Sequence, residues 1–72
     1  MDDVWVVVEL ADNMYGFIGA VLKNEQDAIT EAKRIIETKA EERKQKYFIS
    51  NNQRTFKLFD NSYTVEVVRK LV

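Results

Sequence analysis

The sequence predicts an α+β fold with the element order β-β-α-β-β, in which one helix packs on one face of an antiparallel or mixed four-stranded sheet. Three observations predict it. Apolar residues alternate along both ends of the chain, an apolar stripe at helical spacing lies between them, and Asx pairs at residues 12–13 and 60–61 interrupt the alternating runs. A chain of 72 residues has the length of one small domain, so we expect a single domain over residues 1–72.

Residues 4–22 predict the first hairpin, with Asp12 and Asn13 in its turn because both residue types tolerate positive φ. A two-residue turn there pairs Val8 with Phe17. Unlike most small hairpins, this one is apolar on both faces. One face carries Val4, Val6, Val8, Leu10, Tyr15, Phe17, Gly19 and Val21, and the other carries Trp5, Val7, Glu9, Gly16, Ile18, Ala20 and Leu22.

Residues 24–44 predict the helix. Asn24 is a good N-cap, and Asp27 adds a carboxylate to the first turn, where the helix dipole favours negative charge. We expect the helix to run from near Glu25 to near Lys44, with an extension to Tyr47 left open. Its apolar residues recur three and four positions apart and form one stripe: Ala28, Ile29, Ala32, Ile35, Ile36 and Ala40.

The second hairpin is predicted around residues 60–61. A tight turn there pairs Phe56 with Val65 and places the apolar residues of both strands on one face. The segment 47–54 has two interpretations: a short strand that turns at residues 51–52, or the helix exit followed by a loop.

The residue types of common catalytic sites are scarce. The chain has no histidine and no cysteine, which removes the usual general base, the thiol nucleophile and the common soft-metal ligands. Its serines, Ser50 and Ser62, stand beside turn residues without a base to activate them. We therefore predict a protein that is not an enzyme, with no catalytic residue, no metal site and no cofactor. No apolar run reaches about 18 residues and no signal-peptide pattern is present, so we expect no membrane contact and a cytoplasmic location.

One helix covers only one face of a sheet, so the other face is expected to be exposed. Monomeric proteins rarely expose a contiguous apolar patch. We therefore expect a second copy, in a dimer or larger homo-oligomer, or a protein partner to cover it; the alternative is that the C-terminal residues fold over it. The predicted contact residues are Trp5, Val7, Ile18 and Leu22, with Tyr15 and Phe17 in their place if the valine set is the exposed one.

A second hypothesis is nucleic-acid or nucleotide binding by the segment 43–57, in which basic residues are interleaved with aromatic ones. The basic residues expected to make the contact are Lys44, Lys46, Arg54 and Lys57. The alternative for Tyr47 and Phe48 is that they close the end of the core. The alternative explanation for the basic residues of the segment 32–58 is helix-dipole complementarity, in which acids lie near the start of a helix and bases near its end. A nucleic-acid-binding domain is usually clearly basic, whereas this chain has a net charge of −1.

The run YGFIGAVLKNEQDAITEAKRI, with a valine-rich strand before it and the late strand YTVEVVRKL after it, resembles small phage and prophage accessory proteins. The resemblance implies a phage-encoded protein of the host cell cytoplasm that acts by stoichiometric binding. Such a protein inhibits a host enzyme or a bacterial defence component, or sequesters a nucleotide signal. The resemblance assigns no functional residue.

Overall fold

The computed structural model describes residues 3–11 and 16–71 and confirms the α+β class. Its elements are β1 (Asp3–Ala11), β2 (Phe17–Leu22), α1 (Glu25–Arg43), β3 (Tyr47–Ile49), β4 (Thr55–Leu58) and β5 (Tyr63–Leu71). The strands form one antiparallel sheet in the order β2-β1-β5-β4-β3, and α1 packs on one face of it. The predicted turn at residues 12–13 lies outside the described residues.

The prediction of four strands is wrong, because the segment 47–49 forms a further strand, β3, at the edge of the sheet. Tyr47 pairs with Leu58 and Ile49 pairs with Phe56, so β3 continues the ladder of β4. The observed order is therefore β-β-α-β-β-β. Of the two interpretations of the segment 47–54, the short strand that turns at residues 51–52 is the one observed. Three residues are too few for periodicity alone to distinguish a strand from a loop.

The predicted start of the helix is confirmed. The Asn24 side-chain oxygen accepts the backbone N–H of Asp27 at 2.8 Å, which is the N-cap bond. The helix ends at Arg43 and does not extend to Tyr47, because Lys44 adopts the left-handed conformation with φ 54° and caps the last turn. The buried residues of the stripe are Ala28, Ala32, Ile36 and Ala40. In the part of the chain that the structure describes, no helix is both long and apolar enough to cross a membrane.

The second hairpin has the predicted register. Phe56 lies opposite Val65, and Asn61 has the positive φ, 64°, that a tight turn requires. The Asn61 N–H donates to the Leu58 carbonyl at 2.9 Å and closes this turn. The apolar side chains of the hairpin pack against the helix in one core, which consists of Val7, Ala28, Ala32, Ile36, Ala40, Phe56, Leu58, Tyr63, Val65 and Val67.

The predicted register of the first hairpin is wrong. Glu9 lies opposite Phe17 and Val8 opposite Ile18, so the pairing nearest the turn is already shifted by one residue from the prediction. Gly19 is then an extra residue between the pairs of Val8 and Val7, and this β-bulge shifts the pairing by one residue more. A Cβ atom on Gly19 would clash with the Glu9 carboxylate, so the glycine leaves the space that this carboxylate occupies. The bulge therefore decides which side chains of β2 point toward the helix.

Candidate interaction surface

The open face of the sheet is the face that α1 does not cover. The side chain of Val7 is fully buried in the core beneath the helix, and successive side chains of a strand alternate between the two faces. The neighbours Val6 and Val8 therefore lie on the open face. Their partners on the adjacent strands complete an apolar set, which we call the valine face: Val4, Val6, Val8, Ile18, Val21 and Val68.

Cross-strand rows make the valine face contiguous. Val21, Val6 and Val68 lie opposite one another on β2, β1 and β5, and Ile18 lies opposite Val8 in a second row. Directly opposed side chains have Cβ atoms about 4.5–5.5 Å apart, so each row is a continuous strip. Ile18 is 64% exposed, Val21 56% and Val68 41%, although all three are aliphatic. This is the apolar exposure that typically marks an interaction site.

Opposite charges flank the valine row on β5. Glu66 stands two residues before Val68 and Lys70 two residues after it, so all three side chains lie on the open face. In the ladder, Glu66 is opposite Val8 and Lys70 is opposite Val4. Among the described residues, neither charge forms an ion pair within the chain. As far as the described residues go, both charges are therefore available to a partner.

The other side of the open face, at β3 and β4, is aromatic and basic. Phe48 and Phe59 are both exposed, and their ring centroids lie 5.8 Å apart with an interplanar angle of 55°. Lys57 is directly opposite Phe48 in the ladder and shares its face. The open face is thus divided into an aliphatic side and an aromatic side.

Three of the four predicted contact residues lie on the covered face instead of the exposed one. Val7 is fully buried, and Trp5 and Leu22 are partly buried against the core. Their assignment to an exposed surface is wrong. Ile18 does lie on the open face, because the bulge at Gly19 places it on the side of the sheet opposite to Leu22. A glycine inside an apolar strand was the signal in the sequence for this change of face.

Tyr15 and Phe17 are the residues predicted to make the contact if the valine set is the exposed one. Phe17 lies opposite Glu9, so it is on the side of the helix although it is exposed at the sheet edge. Tyr15 lies outside the described residues. Because Val6, Val8 and Val21 lie on the open face, the exposed face is that of the alternating valines, with Ile18 in the place predicted for Phe17.

The four basic residues predicted to contact nucleic acid do not converge. Lys44 caps the C-terminal end of the helix, while Arg54 forms an ion pair with Glu25 at the N-terminal end. The helix has 19 residues and spans about 28 Å between these ends. The Arg54 guanidinium carbon also lies over the Trp5 ring, 4.9 Å from its centroid. Lys46 precedes β3, and Lys57 is on the open face.

The neighbouring aromatic residues also separate. Tyr47 lies on the covered face, where its hydroxyl donates to the Glu37 carboxylate at 3.3 Å. Burial, followed by the Glu37 charge and this hydrogen bond, raises the pKa of Tyr47. Tyr47 therefore closes the end of the core, as the simpler alternative expected, whereas Phe48 stays on the exposed face.

A side-chain hydrogen bond on the covered face joins the two long strands β1 and β5. The hydroxyl of the buried Tyr63 donates to the Glu9 carboxylate, from the first residue of β5 to β1. Burial raises the pKa of Tyr63 well above its usual value, and the hydrogen bond to Glu9 and the Glu9 charge raise it further. Lys39 and Arg43 lie 5.2 and 5.5 Å from the centroid of the Tyr63 ring. The hydrogen bond therefore links β5 to β1, and the two cation–ring contacts link the helix to β5.

Over residues 3–11 and 16–71, no group of three or more acidic side chains has the arrangement of a metal site. Comparison of the chain with protein-family models, with curated proteins and with solved structures gave no significant match.

Proposed function

We propose that this protein is a non-enzymatic binding protein that self-associates through the valine face. The observation that carries the proposal is the contiguous apolar surface on the open face, where Ile18, Val21 and Val68 are all exposed. Burial of apolar surface contributes about 25 cal/mol per Å², so an association that covers this face is favoured. A two-fold dimer is the commonest closed assembly of identical chains.

The charges beside the apolar row support a second copy as the occupant. A two-fold axis that lies between two facing sheets can run across the strands along the row Val21, Val6 and Val68. Such an axis reverses the strand direction of the second copy, so the row faces itself and Glu66 of each protomer faces Lys70 of the other. The resulting interface has an apolar centre flanked by two complementary ion pairs, which is the usual composition of a protein interface.

Sedimentation velocity at micromolar concentrations tests the dimer and its axis together. Glu66→Lys and Lys70→Glu each place like charges opposite each other twice, so each variant should associate more than about tenfold more weakly than the parent. The double variant restores opposite charges and should restore association. Lys57→Glu is the matched control, because it reverses a charge on the open face away from the row. Circular dichroism checks that every variant is folded.

Two outcomes would contradict this proposal. A parent chain that sediments as a monomer at tens of micromolar, about the usual range for a weak dimer, excludes self-association. A double variant that associates no better than the single ones excludes the two-fold arrangement. Ile18→Lys gives an independent check, since a charge on the exposed aliphatic row should disrupt the dimer while the chain stays folded.

The target is part of the proposal. In line with the phage accessory proteins that the sequence resembles, we infer that the protein acts in the host cytoplasm and inhibits or sequesters a host enzyme, a defence component or a nucleotide signal. The test is a titration of the candidate target, first captured from bacterial lysate and then purified. Inhibition that saturates at a fixed molar ratio supports a binding protein, whereas full inhibition at a small fraction of that ratio indicates catalysis and contradicts it.

Nucleic-acid binding is a second candidate, favoured by the exposed Phe48–Phe59 pair beside Lys57. Exposed aromatic rings near a cation are suited to stacking on the bases of a single strand while the cation contacts phosphate. Fluorescence anisotropy with an oligothymidine strand tests it. Binding that weakens steeply with salt and is lost in Phe48→Ala supports this function; no binding at low salt excludes it.

A further inference from the structure

A cavity of about 710 Å³ lies on the covered side of the sheet, between the first half of α1 and the edge strand β3. Its apolar walls come from Ile29 on the helix, Ile49 at the end of β3 and Phe56 on β4. The cavity forms because β3 has only three residues and the chain leaves the sheet at Ser50, so no strand continues under this part of the helix. The volume is within the range of small-molecule sites, about 300–1,000 Å³.

The rim of the cavity is polar and carries one charge. Uncharged amide and hydroxyl groups surround it, from Gln26 and Thr30 on the helix and from Ser50, Asn51 and Gln53 in the β3–β4 connection. Lys33 supplies the charged group of the lining. Gln53 is held at a positive φ of 59° while its N–H donates to the Ser50 carbonyl at 2.9 Å, so the connection forms a defined wall.

The charged group of the lining is a cation, and no carboxylate of the described residues belongs to the lining. On the same stretch of the helix, Glu25 pairs with Arg54 and Glu31 pairs with Arg34, while Asp27 accepts from the Asn24 amide and Glu37 accepts from the Tyr47 hydroxyl. Within residues 3–11 and 16–71, no carboxylate forms an ion pair with Lys33. The lining therefore offers an ammonium group and several hydrogen-bond donors without a competing carboxylate.

We propose that this cavity binds a small aromatic organic anion. The ring lies between Ile29 and Ile49, and the acid group of the ligand contacts the Lys33 ammonium and the neighbouring amides. An apolar body held by aliphatic walls, with a few polar groups that orient it, is the common composition of a small-molecule site. The site is on the side of the sheet opposite to the valine face, so it is independent of self-association.

The isoleucines of the chain provide a direct readout. Ile29 and Ile49 line the cavity, Ile18 is on the open face, and Ile35 and Ile36 lie on the helix outside the lining. Methyl NMR spectra of the isoleucine-labelled full chain are recorded during titration with 1-naphthoate. Saturable shifts of the Ile29 and Ile49 signals, with an unchanged Ile18 signal, are expected. The neutral analogue 1-naphthamide should bind about tenfold more weakly, since it lacks the charge-assisted contact.

A pair of lysine variants tests whether the Lys33 ammonium is the group that contacts the acid group of the ligand. Lys33→Gln should weaken 1-naphthoate binding about tenfold and leave 1-naphthamide binding unchanged. Lys23→Gln, which removes an exposed lysine outside the lining, is the matched control and should bind as the parent does. The ligand-free methyl spectrum shows whether each variant is folded. The proposal is overturned if Ile29 and Ile49 do not shift at millimolar probe, if Ile18 shifts in their place, or if Lys33→Gln binds like the parent.

Discussion

The two faces of the sheet have similar side chains and opposite surroundings. On the covered face, Phe56 and Val65 have no exposed surface, because the helix lies over them. On the open face, Ile18 and Val21 are more than half exposed although they are equally apolar. The difference arises from the number of helices and not from residue type, since one helix of this length covers one face. The fold of the single chain therefore does not require aliphatic residues on the open face.

The polar groups of the two faces differ in the same way. On the covered face the Tyr63 hydroxyl is paired with Glu9, and no buried side-chain nitrogen or oxygen of the described residues lacks a partner. On the open face Glu66, Lys57 and Lys70 have no ion-pair partner within the described part of the chain. A face with internally satisfied polar groups serves stability, and a face with available charges is suited to binding.

The largest expected effect comes from truncation of one aromatic residue on each face. Phe56→Ala removes a fully buried ring and should lower the free energy of unfolding by about 3–5 kcal/mol. Phe48→Ala removes an exposed ring on the neighbouring strand and should cost about 1 kcal/mol, since it loses mainly the contact with Phe59. Urea unfolding followed by Trp5 fluorescence measures both. Equal losses would mean that the two faces are equally buried in solution, through association.

An intermediate effect is expected from the polar pair of the covered face. Tyr63→Phe leaves the Glu9 carboxylate without its buried donor and should cost about 1.5–3 kcal/mol at neutral pH. Because the folded state raises the pKa of Tyr63 above its unfolded value of 10.0, its stabilising contribution is complete below pH 10 and is lost as the pH rises further.

The loss of stability at alkaline pH distinguishes the contribution of Tyr63 from that of the other tyrosines. Urea midpoints of the parent should fall above about pH 10, and those of Tyr63→Phe should fall less steeply. Tyr47→Phe is the control, because its pKa is also raised but its hydrogen bond to Glu37 is longer, at 3.3 Å. If the alkaline losses of Tyr63→Phe and the parent coincide, the Tyr63 hydroxyl is not held by Glu9 in solution.

The smallest effect is expected from a change in the helix that covers the sheet, away from both faces. Asn24→Ala removes the N-cap bond and should lower the free energy of unfolding by about 1 kcal/mol. Asn24→Ser keeps a capping oxygen and should retain most of the stability. Thermal unfolding by circular dichroism compares the three chains. Sedimentation should be unchanged in both variants, and weaker association in Asn24→Ala would show that the cap region takes part in the interface.

The two hairpins show how far the sequence can be interpreted. In the second hairpin, the turn residues and the apolar alternation indicate the same pairing, and Phe56 lies opposite Val65 as predicted. In the first hairpin, valines and other apolar residues occur on both faces, so alternation does not distinguish one register from the next. The bulge at Gly19 then changes the face of Ile18 relative to Leu22. Trp5, Val7 and Leu22 share one face as predicted, and their assignment to the exposed surface failed because the helix covers that face.

The candidate site was predictable only in part for a related reason. That one face would be exposed followed from a single predicted helix, and this expectation holds. Which face it would be depends on pairs such as Val6 with Val68, which join residues at opposite ends of the chain. The cavity beside Lys33 depends on the short β3 strand, and three residues carry no periodic signal.

The sequence by itself determined the features that arise from local interactions. The Asn24 cap, the stripe of apolar residues along α1 and the turn at Asn61 each depend on residues a few positions apart, and each is observed. Only the tertiary structure decided that Val7 is buried and that Val6 and Val8 belong to the open face. These neighbours are chemically identical, so their free energies differ only when the long-range pairing with β5 and the position of the helix choose a side.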